Sequence, residues 1–446
     1  MRILRGVKKK VGPMRVVIGA GADALRAAAV LASTGAPVLL LQECDSPYGL
    51  EHPDISEGVG RVYIDASLRE TAEAALGPLV EAPSLKRAVA RGGNVHGIPM
   101  SLGAVPSLFE GPSLPNAGRS FFTRRVRNAL IPLTGEGQEE RSYRQWVERR
   151  MGEFTYQHIY SDYARRRWAL DGDHLSVAVA RSHHNPHREG PGQVPGGGPA
   201  ASLTHALSVI ESNGGEVQCG VKIRGLKVVD GTVVAVRVGR KHIKFDGPLW
   251  VARPHSVVAG WLGDDLPKAR HVDANALNLW DRVQIAFPFE GGTLPDEIHV
   301  LDKASPAWRV SQLYGGKGWV VFHATVSPDA ALPSPESMLE VAAKLGMKDL
   351  DVRAAKVERL REWVPLWAPV VHPRLRRLAL AWSNLGLVSV GRRGTFTPID
   401  MGAEIAVAAN YTSDEGVDGR EVLRALLEPP VKDDDLNASF RDFIWS

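Results

Sequence analysis

Cysteine is nearly absent: only Cys44 and Cys219 occur in 446 residues, far apart and without metal-type spacing. That argues against a disulfide framework or a cysteine zinc site and suits a reducing compartment, so a cytoplasmic location is expected. No apolar run reaches the roughly 18 residues a spanning helix needs, so no integral membrane segment is expected. No signal peptide is expected before the first strand. The basic leader, residues 1–13, reads as a solvated arm, with peripheral membrane contact as the lesser alternative. Charge of one sign is also lacking. The 54 basic and 50 acidic residues leave a formal charge of +4, and the arginines are spread along the chain. Nucleic acid is not implied; an anionic ligand or an anionic membrane surface fits that balance. Neither a Ser/His/Asp arrangement nor a paired-carboxylate signature is present.

What is present is a strongly ordered pattern over residues 16–43, VVIGAGADALRAAAVLASTGAPVLLLQE. An apolar run (Val16, Val17, Ile18) meets a glycine turn, and an amphipathic Ala/Leu-rich segment follows up to Gly35. A second apolar run then ends at Glu43. This is a β-α-β unit of dinucleotide-binding type. Gly19 makes the tight turn, Gly21 lets backbone N–H groups approach a pyrophosphate, and the small Ala24 lets helix pack on strand. Ala22 opens a helix whose N-terminal N–H groups and partial charge face the phosphates. Glu43 is placed to accept hydrogen bonds from an adenosine ribose. Asp23 stands in the first helical turn and is expected to be a capping acid pointing to solvent; the alternative is a carboxylate that repels the phosphates.

The length predicts two connected domains. Loop chemistry dominates after Glu43, before a strand around 62–64; a helix and short strand follow over 65–90, and 92–109 reads as a hairpin leading into a helix. Residues 110–140 look like a linker or cap. From 142 to 168 the pattern is helical, and Tyr156, Tyr160, Tyr163 and Trp168 either form core or line a substrate cavity. His183, His184 and His187 lack acidic or cysteine partners at ligand spacing, so a polar loop is expected and no metal site. Gly196, Gly197 and Gly198 lead into a helix near Ala200. Residues 214–254 read as an antiparallel meander with turns at Gly214-Gly215 and Asp230-Gly231. Strands over 282–289, 297–301, 308–313 and 319–325 form a second sheet. Helices are expected over 335–345, capped by Ser334, and over 352–363. Near the end, a strand at 387–390 precedes a Gly-Arg-Arg-Gly turn and a helix starting close to Met401. Asp433, Asp434 and Asp435 read as a solvated turn.

These segments resemble the flavin-dependent amine oxidase superfamily, in particular its protoporphyrinogen oxidase-like and UDP-galactopyranose mutase-like branches. The resemblance rests on VVIGAGADAL with Glu43, HGIPMSL, the aromatic helical block, VPGGGPAASLTHAL, GGEVQCGVKIRGL, IHVLDKASPAWRVSQ and GRRGTFTPIDMGAEIA, in the family's order over most of residues 14–410. It implies an α/β chain: a Rossmann-type FAD-binding domain and a second α+β substrate domain of mixed sheet and helices, intertwined in sequence. The FAD-binding parts would be 14–90, 196–265 and 376–425. The helical substrate region would be 91–195 and the substrate sheet 266–375, with 426–446 a tail. It further implies FAD, with its adenine end on Gly19, Gly21 and Glu43 and the adenine on the backbone of Val221. Gly391, Arg392, Asp400 and Met401 would lie along the ribityl chain and flavin. The sequence departs where the family carries a Gly-Gly pair followed by Arg or a small residue: here Gly49 precedes Leu50 and Glu51.

Three functions follow from these residues. The first is an FAD-dependent oxidoreductase taking a hydride equivalent from a small organic substrate, with Tyr160, Tyr163, Trp168 and Arg309 as substrate-side candidates. Arg309 would bind an acidic substrate or stabilise the flavin, or else form a structural ion pair. No catalytic base stands out. The second is a flavin-dependent, non-redox sugar-nucleotide isomerase. The third is a fold-retaining protein that has lost its flavin. Oligomeric state is not readable from the pattern.

Overall fold

In the first apolar run, β-branched residues suit a strand buried on both faces, and β1 (Arg15–Gly19) is buried from Val16 onward. The computed structural model describes residues 14–55, 68–82, 86–98, 140–183, 192–290, 294–312, 318–396 and 408–409. β1 is central to a five-stranded sheet in the order β17-β11-β1-β2-β7, with β2 (Val38–Gln42), β7 (Glu216–Gln218), β11 (Leu249–Ala252) and β17 (Leu387–Ser389). Every pair in it is parallel. α1 (Ala22–Ser33) covers one face, its alanines buried against α2 (Arg69–Leu76) and α7 (Gly198–Ser212). β3 (Leu79–Glu81) and β6 (Gln193–Pro195) form a small ladder, and β8 (Ile223–Val229), β9 (Thr232–Val238) and β10 (Lys241–Lys244) an antiparallel meander.

The second large sheet runs β16-β12-β15-β14-β13-β4-β5. Its strands are β4 (Arg87–Arg91), β5 (Asn94–Ile98), β12 (Leu279–Pro288), β13 (Glu297–Val300), β14 (Arg309–Gln312), β15 (Trp319–Val326) and β16 (Lys356–Pro365). One face is apolar: Val283, Ile285, Phe287, Ile298, Val310 and Phe322 pack against Met338 and Val341 of α10 (Pro335–Lys344). Each such side chain contributes about 1.5–3 kcal/mol. Ser334 caps α10, accepting from the Ser337 N–H, as its sequence predicts.

A helical layer lies over the other face. It contains α3 (Tyr143–Met151), α4 (Glu153–Thr155), a π-helical turn at Tyr156–Tyr160, α5 (Ser161–Trp168) and α6 (Val177–His183). α8 (His255–Leu262), α9 (Lys268–Asn275), α11 (Val371–Asn384) and α12 (Gly391–Thr395) are the other α-helices among the described residues. Among the described residues no helix is long and apolar enough to cross a membrane, and no group of three or more His, Cys, Asp or Glu is placed to hold a metal.

The α/β class with a parallel sheet, further sheets and helices is as expected, but several local expectations change. Residues 142–168 are helical as expected, in consecutive pieces, because Gly152 takes a φ of 85° and ends α3. Residues 352–363 are not a helix. Beyond a short 3₁₀ turn they form edge strand β16, whose buried Glu358 and Leu360 alternate at the two-residue period of a strand. Residues 216–218 and 249–252, read with the meander, belong to the parallel sheet instead. β4, expected with the glycine-loop segment 14–90, pairs in parallel with β13 of the second sheet. The Cys44 and Gly220 backbones meet, with Gly220 N–H donating to Cys44 O at 2.8 Å, and both cysteines are free. The expectations for 62–64, 110–139, His184, His187, the helix near Met401 and residues 426–446 fall outside the described residues.

Candidate functional site

Ligands of open parallel sheets sit beyond the carboxyl ends of the strands. At those ends Gly19 and Gly21 form the tight turn, with Ala22 and Ala24 buried in the first turn of α1. The Ala24 Cβ occupies the space that a Cβ on Gly19 would need, which is why both residues are small. Gln42, the last residue of β2, staples this loop. Its Oε1 accepts from Gly21 N–H at 3.0 Å, and its Nε2 donates to Gly21 O at 3.1 Å and Pro47 O at 3.0 Å. Gly49 (φ 63°) lies directly against Gly21; a Cβ on it would overlap Gly21 Cα and stand 2.8 Å from Ala20 O. The Gly49-Leu50 departure therefore has a packing reason, and Leu50 packs against the cluster of Leu360, Trp363 and Val364 on the second sheet.

Asp23 does not point to solvent. Its side chain is fully buried, Oδ1 accepts from Ala24 N–H at 3.0 Å, and the same oxygen lies 3.4 Å from Arg393 Nη2. The expectation failed because the partner is distant in sequence. Gly391, Arg392 and Arg393, expected as a Gly-Arg-Arg-Gly turn before a helix near Met401, already form a helical turn, α12. Neighbouring helical residues diverge by roughly 100°, so Arg392 lies over the Trp363 ring at 4.9 Å while Arg393 lies over Gly21 and donates to Ala20 O at 3.2 Å. Asp400 and Met401 are outside the described residues.

Glu43 sits at the end of β2, its N–H bonded to Gly19 O, and its carboxylate pairs with Arg253 at 2.9 Å. Arg253 also reaches Glu362 at 3.0 Å, joining the two sheets. Burial raises the Glu43 pKa, with Arg253 opposing. Val221 is buried beside it, and its N–H donates to Gln42 O at 3.0 Å.

Facing these strand ends is the polar side of the second sheet. Register places Glu358, Gln284, His323, Arg309 and His299 in one row across β16, β12, β15, β14 and β13. α5 covers one end of the row. Arg167 Nη1 donates to Tyr163 Oη at 2.7 Å, leaving the Tyr163 hydroxyl to donate to His299 Nδ1, also at 2.7 Å. Burial pushes the His299 pKa down to about 3, so the ring is neutral. Glu297 lies 3.6 Å from His299 Nε2 and 2.9 Å from Arg309 Nη1. Arg309 is thus an ion-pair partner first. Its guanidinium, with those of Arg167 and Arg282, also lies about 5 Å from the Trp308 ring centroid. Tyr160 and Trp168 are buried in the aromatic core with Tyr143 and Trp146. At the other end, Ile55 packs on Ala286 and Val321, and His52 N–H donates to buried Glu358 at 2.6 Å. Between the two ends lies Gln284, completely buried, with neither amide atom hydrogen-bonded.

A dinucleotide fits this donor set in part. The Gly21 and Val221 N–H groups are already used by Gln42. The Arg393 guanidinium lies against Gly21 with a buried, unpartnered Nε, and so offers the charge that a pyrophosphate requires. Sequence reasoning singled out Arg392 and missed Arg393, Gln42 and Gln284. Only Gln42 left a signal, as a lone amide closing an apolar strand.

No family model and no curated protein matches the chain. Solved structures do. A reduced UDP-galactopyranose mutase aligns with a TM-score of 0.66 at 13% identity, covering 97% of each chain. A protein described as a candidate protoporphyrinogen oxidase from Exiguobacterium sp. 255-15 aligns with a TM-score of 0.61 at 16% identity, covering 90% of this chain and 98% of that one. Cyclohexylamine oxidase from Brevibacterium oxydans IH-35A aligns with a TM-score of 0.59 at 13% identity, covering 93% and 99%. The chain shares its fold with these three structures over nearly its whole length.

Proposed function

We propose that this protein is a flavin-dependent oxidoreductase acting on a small organic substrate. One observation carries the reading: the carboxyl ends of a dinucleotide-type parallel sheet face a sheet surface lined by a row of polar side chains. A soluble core has no use for such a row, whose buried groups are costly unless they meet a ligand or one another. In this reading the cofactor is FAD, held by Gly19, Gly21, Ala22, Ala24, Glu43 and Val221, with Gly391, Arg392, Asp400 and Met401 toward its flavin end. The bound flavin would supply the electron acceptor, so no hydrolytic triad is needed.

The protein's own groups would bind and orient. Gln284 offers an unused donor and acceptor to a substrate between the sheets. The neutral His299, held by Tyr163, keeps a fixed tautomer at physiological pH and serves as a hydrogen-bonding group rather than a charged one. Leu50 and Ile55 close the seam between the sheets and exclude water from it.

The test is direct. The purified protein is expected to absorb in the flavin bands, to release FAD on denaturation, and to bleach on anaerobic addition of a substrate drawn from porphyrinogens, amines or polyene precursors. A colourless protein that also fails to take up added FAD would sink the reading and leave the fold without its cofactor. A second reading, a flavin-dependent isomerase, is favoured by the end-to-end match to the mutase structure. Activity that requires prior flavin reduction, yet consumes no reductant, separates it from the first.

A further inference from the structure

The glycine loop carries a charge arrangement that the proposed function does not explain. Asp23 and Arg393 pair at 3.4 Å, their side chains 0% and 7% exposed. Neither is saturated, since Asp23 Oδ2 and Arg393 Nε are buried without a hydrogen-bond partner. A purely structural ion pair at this depth normally satisfies its polar atoms, because desolvation otherwise outweighs the attraction. The pair is also aimed. Arg393 Nη1 donates to Ala20 O, and Nη2 fills the space where a Cβ on Gly21 would stand, at the start of the 12-residue α1. The positive end of that helix favours an anion at the same place. On the far side Gly391 leaves room for the carboxylate, since a Cβ there would lie 2.8 Å from Asp23 Oδ2.

We propose that Arg393 is the diphosphate-binding side chain of this site and that Asp23 acts through it as a positioning residue. The inference rests on the dinucleotide part of the proposed function, and the ligand class is any molecule carrying a nucleoside diphosphate. Gly21 has given its N–H to Gln42, so the guanidinium takes over as the donor that meets phosphate oxygens. Asp23 holds that guanidinium over the loop and competes with the incoming diphosphate for it. Affinity is thereby set lower than an uncompensated arginine would give.

The experiment is titration calorimetry of the full chain with ADP, and with adenosine as the control that lacks phosphate. Wild type, Arg393→Gln, Asp23→Asn and the double variant are compared, with thermal unfolding as the check on folding. Arg393→Gln is expected to weaken ADP binding about ten- to hundredfold, the worth of one charge-assisted hydrogen bond. Adenosine binding should be unchanged and the salt dependence of ADP binding flatter. Asp23→Asn should tighten ADP binding in the wild-type background and do nothing in the Arg393→Gln background. Arg393→Met, which keeps the aliphatic packing, gives the same comparison if the glutamine variant does not fold. Equal ADP affinity without Arg393 overturns the proposal. So does an Asp23→Asn gain that persists without Arg393, because the carboxylate would then act on phosphate directly. ADP binding that depends on Arg393 in a protein that never takes up FAD overturns the flavin reading alone. Wild type binding neither ADP nor FAD overturns both.

Discussion

Acid should loosen this fold through His299, and one substitution isolates the effect. The ring is buried, its Nδ1 lies 2.7 Å from Tyr163 Oη, and burial lowers its pKa from the ordinary 6.5 to about 3. Glu297 works against that shift, while Arg167, Arg309 and Arg87 reinforce it. In the unfolded chain the ring titrates near its usual value of about 6.5. Below that pH the unfolded state binds a proton that the folded state refuses. Stability from this group is therefore complete above about pH 6.5 and is lost as the pH falls toward about 3. The loss is about 1.4 kcal/mol per pH unit, or about 2 kcal/mol between about pH 6 and 4.5. His255, pushed down to about 4 by burial beside Trp382, adds a loss of the same sign. Glu43 and Glu358, which burial raises, take up a proton first in the folded state and act oppositely. The difference between two proteins is thus the useful quantity. His299→Gln keeps a hydrogen-bonding partner for Tyr163 but cannot titrate. In urea unfolding at stepped pH, wild type should lose about 2 kcal/mol more than the variant over that interval. Parallel stability curves would refute a neutral, buried His299.

Gly49→Ala should destabilise the chain by about 2–4 kcal/mol and lower cofactor content, because it adds left-handed strain to a collision with Gly21; wild-type stability and content would show that the loop moves aside freely. Gln284→Met removes two buried, unpartnered amide atoms, so it should raise stability by about 1–3 kcal/mol while weakening substrate binding. A thermal melt showing loss instead of gain would mean that the amide is satisfied within the protein. A double-mutant cycle of Glu297→Gln and Arg309→Met, read by urea unfolding, should give a coupling of about 1–3 kcal/mol; a coupling near zero would restore Arg309 as a free substrate anchor.

Features decided within a few residues were legible in the sequence. The glycine turn after β1 and the helix capped by Ser334 each follow from local chemistry, and each is found, whereas the hairpin expected within 92–109 begins earlier, with Arg87–Arg91 as its first strand. What failed depended on distant partners. Asp23 looked like a solvated cap because nothing nearby reveals that Arg393 will cover it. Residues 356–365 carry a helix-compatible mix of charged and apolar residues, and only pairing with β12 makes them a strand. The polar row on the second sheet was invisible for the same reason: its members come from five strands, and only the ladder register aligns them.

The interleaving of the two large sheets has a kinetic consequence. β1 finds its neighbour β11 only after more than two hundred residues have intervened, and β17 joins the same sheet from further along still. β4, in turn, waits for β13. Neither sheet can close early on a growing chain, and no contiguous fragment contains all the strands of one sheet without at least two of the other. Such non-local pairing slows folding and leaves unpaired edges exposed while it proceeds. The protein should therefore gain and lose its structure as one unit, and a protease cut within a surface loop should leave two pieces that stay entangled rather than a domain that survives alone.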